Sequence, residues 1–211
     1  MFTSTFRKVG EVGLPPFAAI RVMMLPIIIG DADSLPQFVA TYHPTVCSLA
    51  RMADSEHLGK VGYLTIDEKT VYAGLTHRRA GLHVDGGDSR GWGGGGGWGS
   101  RATGMLTVSS RAGCRAWAQD FDGEVGYEGD CEHLRPQLLS EGTVLGAGEV
   151  YWLDGLCVHE SIPQTTQMQR QFVRLSLPSI APWYEGYTEN PLGIKPTGPI
   201  LPRRKYMDEA A

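Results

Sequence analysis

Arg78-Arg79-Ala80-Gly81-Leu82-His83-Val84-Asp85-Gly86-Gly87 places an imidazole and a carboxylate two residues apart at the end of a short apolar run. In an extended strand successive side chains alternate faces and advance about 3.3 Å per residue, so His83 and Asp85 project together, roughly 7 Å apart at Cα. Two such groups can share one metal ion. His-x-Asp also arises by chance, so context has to supply the rest. Downstream, Gly146-Ala147-Gly148-Glu149-Val150-Tyr151-Trp152-Leu153-Asp154-Gly155-Leu156-Cys157-Val158-His159-Glu160 ends a second apolar run in a histidine. Arg170-Gln171-Phe172-Val173-Arg174-Leu175-Ser176-Leu177 follows it. Together they offer a third ligand and an anion clamp.

The surrounding chain reads as strands. Residues 61–66, 71–75, 79–85, 105–109, 114–118, 144–153, 156–162 and 172–177 are short apolar or β-branched runs divided by turn residues. Residues 18–29 suggest one or two further strands broken at Pro26, and residues 1–16, ending in Pro15-Pro16, an arm leading into the fold. Phe38, Tyr42, Val46, Leu49 and Met52 recur at three-to-four spacing, which predicts a helix over 35–54, kinked at Pro44. Many short strands with Gly-rich turns and one early helix predict a mainly β sandwich or barrel with an N-terminal helical buttress. The 211 residues suffice for one sizeable core, and a single domain over 1–211 is expected.

Two segments stand apart. Residues 86–99, Gly-Gly-Asp-Ser-Arg-Gly-Trp-Gly-Gly-Gly-Gly-Gly-Trp-Gly, have the composition of a mobile loop, and Trp92 and Trp98 on it are placed to close over a substrate. Residues 178–211 carry six prolines from Pro178 to Pro202, which predicts an extended strap.

A net charge of −4 provides no basic footprint for a phosphate backbone, so a nucleic-acid partner is not expected. The most apolar N-terminal run contains Arg21 and Pro26 and is too short to span a bilayer, which argues against a membrane. Cys47, Cys114, Cys131 and Cys157 show no Cys-x-x-Cys spacing; reduced thiols in a cytoplasmic protein are expected.

His83-x-Asp85, a distant His159 and Arg174-x-Ser176 resemble the pattern of the Fe(II)/2-oxoglutarate-dependent oxygenases of the double-stranded β-helix, or jelly-roll, fold. The match runs from about Arg78 to Leu177. It implies Fe(II) held by His83, Asp85 and His159, 2-oxoglutarate anchored by Arg174 and Ser176, and O2 as the second co-substrate. The implied activity is hydroxylation or desaturation of an organic substrate, first a small metabolite and second a protein side chain, with release of succinate and CO2. The interval from His159 to Arg174 is wider than the pattern expects, which makes Arg170 a rival clamp, although its position reads as an exposed turn. An intact carboxylate at Asp85 favours oxidation over halogenation. Arg79, Tyr72, Trp92, Trp98, Trp152 and Glu160 are nominated as substrate contacts by closeness in sequence to the ligands, and His77 is a fallback ligand. Two rival readings remain open, a cupin-like metal enzyme with no keto acid and a non-catalytic β-sandwich interaction protein.

Overall fold

Alternation in four central strands sorts the side chains into two populations, and that sorting builds the molecule. The computed structural model describes residues 1–85, 104–178, 183–198 and 200–201; the Gly-rich loop with Trp92 and Trp98 lies outside them. Among the described residues the strands are β1 (Phe2–Ser4), β2 (Phe6–Glu11), β3 (Arg21–Ile28), β4 (Val61–Val71), β5 (Gly104–Ser109), β6 (Cys114–Trp117), β7 (Gln119–Phe121), β8 (Thr143–Val144), β9 (Glu149–Asp154), β10 (Val158–Ser161), β11 (Met168–Ser176) and the parallel pair β12 (Trp183–Tyr184) and β13 (Ile200–Leu201), with one α-helix, α1 (His43–Met52).

Six strands pair antiparallel in the order β2-β9-β5-β11-β4-β3. The second sheet, β10-β6-β8, is continued on the far side of β10 by isolated bridges that join His83 to His159 and to Asp130. Leu64, Ile66, Leu106, Val150, Val173 and Leu175 all point to one face of the large sheet and bury against Val46, Leu49 and Ala50 of α1. Each fully buried aliphatic side chain contributes about 1.5–3 kcal/mol. The opposite face meets the small sheet, where Met105, Tyr151 and Leu153 pack on Ala116, Leu145 and Cys157. On the outer side of the small sheet Leu82, Val84, Trp117 and Val158 form their own cluster with Phe121 and Leu134. The result is a mainly β jelly-roll sandwich buttressed by a helix.

Several local expectations change. Residues 1–16 are more than an arm, because β1 pairs with β7 and β2 forms the outer strand beside β9. Pro26 does not break β3; it is tolerated because β3 is an edge strand, and the irregularity falls instead between Val22 and Leu25, where Met24 adopts φ 51°. Pro44 sits in the first turn of α1 and starts the helix without kinking it, after a 3-10 segment over Gln37–Tyr42. No strands form over 72–82, where Gly74 and Gly81 take positive φ. Within the C-terminal segment, residues 183–190 follow the edge of β3. The amide of Thr188 donates to Met23, and the Asn190 side chain donates to the carbonyls of Pro26 and Ser34.

Candidate metal centre

Leu82 and Val84 turn outward into the apolar cluster, so His83 and Asp85 turn inward. His83 and His159 are directly paired, exchanging both backbone bonds, His83 N to His159 O at 2.9 Å and His159 N to His83 O at 3.0 Å. That pairing brings the two imidazoles to a centroid distance of 4.3 Å. One ligand atom from each of His83, Asp85 and His159 lies within 4.8 Å of the others. His83 and Asp85, together with His159 more than seventy positions downstream, therefore form one cluster facing the space between the sheets.

The histidines are preset for ligation. Nδ1 of His83 bonds the carbonyl of Gly81 at 2.7 Å, and Nδ1 of His159 bonds the carbonyl of Cys157 at 2.9 Å. A carbonyl can only accept, so each Nδ1 carries a proton and Nε2 is the nitrogen turned toward the cluster. Burial, and then the neighbouring His159, pushes His83 down to about 3, which keeps it neutral. Burial alone would raise Asp85, but the guanidinium of Arg174 and then the two histidines hold it below its ordinary value. Two imidazoles and one carboxylate gathered on one side of a cavity could hold a metal ion.

A cavity partly open to solvent lies beside the cluster, with Asp85, His159, Met105, Leu153, Phe172 and Arg170 among its walls. Cys114 also lines it, and burial pushes that thiol up to about 12.

Arg174 and Arg170 share one face of β11 and meet different partners. Nη1 of Arg174 donates to Oδ2 of Asp85 at 2.9 Å, which ties it to a ligand. Ser176, on the same face of β11, is fully buried. Arg170 is not an exposed turn residue, because β11 begins at Met168 and Arg170 is 1% exposed. Its Nε donates to the carbonyl of Arg111 at 3.1 Å and its Nη2 to Oγ of Ser109 at 2.8 Å. Among the described residues its Nη1 has no hydrogen-bond partner and Arg170 makes no ion pair. Burial pulls it down to about 10, still charged at neutral pH.

The other nominated residues scatter. Tyr72 is 58% exposed. Trp152 points away from the cavity, packing on the helix-side core with Arg7 over its ring. Glu160 alternates outward from His159 and pairs with Arg115 and Arg135. Arg79 lies 4.0 Å from Asp130. His77 is buried 3.3 Å from Asp67, away from the three ligands, and burial lowers it to about 4. Asp67 also receives Arg78 at 2.7 Å, and Arg78 lies over Phe172.

No family model matches the chain, and no curated protein matches it. Among solved structures, the crystal structure of EvdMO1 aligns with 56% of this chain and 26% of its own, at 11% identity and a TM-score of 0.38. The chain thus spans about a quarter of that protein's length, and the functional reading rests on the site itself.

Proposed function

We propose that the protein is an Fe(II)- and 2-oxoglutarate-dependent oxygenase acting on an organic substrate, a small metabolite before a protein side chain. The observation that carries this reading is the pairing of a two-histidine, one-carboxylate cluster with a buried guanidinium that meets no carboxylate among the described residues, on one cavity. Bound iron would supply the oxidising chemistry with O2, at the expense of 2-oxoglutarate, which leaves as succinate and CO2.

The chain's own residues supply binding and order. His83, Asp85 and His159 would hold the metal, and the backbone carbonyls behind the histidines fix their rings. A buried cation without a counter-charge is unfavourable, and a carboxylate matches the fork of a guanidinium. Arg170, steadied by Ser109, is therefore assigned to the distal carboxylate of 2-oxoglutarate in place of Arg174. Four residues along β11, about 13 Å at Cα, separate it from Arg174, whose head already reaches Asp85. The apolar walls, Met105, Leu153 and Phe172, would exclude water around the co-substrate.

The test is succinate production from 2-oxoglutarate by purified protein with Fe(II) in air, without added substrate, since such enzymes turn over slowly uncoupled. Formation that disappears in His159→Ala supports the reading. Stoichiometric iron binding with no 2-oxoglutarate consumption and no 2-oxoglutarate binding would favour the cupin-like alternative.

A further inference from the structure

We propose that Arg135 is a positioning residue for the metal centre, clamping from outside the sandwich the two chain segments that carry His83 and His159. The inference rests on the metal-binding reading of those residues. Glu160 follows His159 on β10 and, by alternation, turns to the opposite face. Leu82 precedes His83, and its amide donates to Oε1 of Glu132 at 2.7 Å. Arg135 joins these two points. Its Nε and Nη2 meet Oε2 and Oε1 of Glu132, both at 2.8 Å, and the same Nη2 donates to Oε2 of Glu160 at 2.7 Å.

The bridge lies directly behind the paired histidines. In front, His83 and His159 exchange backbone bonds; behind, Leu82, Glu132, Arg135 and Glu160 close a second link between the same two segments. The carbonyl of Leu82 is held as well, by the amide of Cys131, so both backbone groups of the residue before His83 are engaged by the Glu132 segment. Gly81 fits this arrangement in two ways. Its φ of +78° aims its carbonyl at Nδ1 of His83, and a Cβ there would lie 2.8 Å from Oε1 of Glu132. The carboxylate thus rests against the residue that orients the histidine.

A single exposed ion pair stabilises a fold little, and Arg135 is 44% exposed. A bidentate fork shared between two carboxylates is geometrically stricter, because one planar cation fixes both at once. Its expected effect is on the separation and tilt of the two imidazoles, to which metal affinity is sensitive. Residues behind metal ligands typically change affinity 10–100-fold when removed.

The experiment measures Co(II) binding to the apo-protein by calorimetry and records the visible spectrum of the bound ion, for wild type, Arg135→Met, Arg135→Lys and Glu160→Gln. Arg135→Met and Glu160→Gln should each weaken Co(II) about tenfold and alter the ligand-field bands, while the apo-protein melts within a few degrees of wild type. Arg135→Lys, which keeps the charge and loses the fork, should fall between. Should Arg135→Met fail to fold, the other two variants carry the test. Wild-type binding with unchanged affinity and spectrum in the variants overturns the role of Arg135 alone. A wild type that takes up no Co(II) overturns the metal reading and this inference with it.

Discussion

Nη1 of Arg174 lies 2.9 Å from Oδ2 of Asp85, so the one carboxylate of the ligand cluster is already neutralised by a side chain of β11. Both groups are largely buried, with side-chain exposures of 4% and 13%. Breaking a buried pair leaves a charge without compensation, at roughly 3–5 kcal/mol. Arg174→Met should therefore destabilise the metal-free protein by about 3 kcal/mol, and a divalent ion should recover much of that loss by replacing the missing positive charge. Thermal unfolding with and without metal reads both numbers; a variant as stable as wild type in the absence of metal would contradict the pairing.

Arg170 should behave in the opposite way. It is a buried cation without a carboxylate among the described residues, so replacing it removes an unfavourable charge. Arg170→Met is expected to leave apo stability within about 1 kcal/mol of wild type, since its lost bonds to Ser109 and Arg111 offset the relief. The same change should weaken 2-oxoglutarate by about 2–3 kcal/mol, roughly 100-fold, with iron affinity retained. Calorimetric titrations of metal and co-substrate separate the two effects.

Glu68 sets an acid limit on the fold. Its carboxylate accepts from the amides of Ala18 and Ile20, from the hydroxyl of Tyr42 and from the amide of Gln171, tying the segment before β3 and the segment before α1 to the large sheet. Burial on its own would raise its pKa, but these donors, Tyr42 first, hold it below its ordinary value. A carboxylate with a depressed folded value stabilises fully above its unfolded value, about 4.3, and loses that contribution as pH falls toward the folded one. Unfolding followed from pH 6 to pH 3 should show stability falling, and Glu68→Gln should begin roughly 3 kcal/mol lower and fall less steeply. Equal slopes in the two proteins would exclude Glu68 as a source of the acid sensitivity.

His83, Asp85 and His159 were legible because strand alternation is local: apolar neighbours at 82, 84 and 158 assign the faces before any tertiary contact is known. The same rule held the signal that turns Trp152 and Glu160 away from the cavity, since their parity is opposite to that of Tyr151 and His159; closeness along the chain concealed it. Arg170 was misread because residues 168–171, Met-Gln-Arg-Gln, are too polar to look like a strand. They are polar because this end of β11 pairs with Glu68, Lys69 and Thr70 and carries the interior guanidinium. The first strands escaped notice because β2 is an outer strand, with Arg7, Lys8 and Glu11 exposed and little apolar periodicity. The clamp by Arg135 depends on a 3-10 segment, Glu132–Gln137, whose placement is purely tertiary.

The most direct test of the central claim is an anaerobic titration of the apo-protein with Fe(II) and 2-oxoglutarate, following the visible charge-transfer absorption of a chelated keto acid. Wild type should develop the band at one iron per chain, His159→Ala should lack it, and Arg170→Met should require about 100-fold more 2-oxoglutarate to reach it. Iron binding with no band at saturating 2-oxoglutarate, or a band indifferent to both substitutions, would contradict the account.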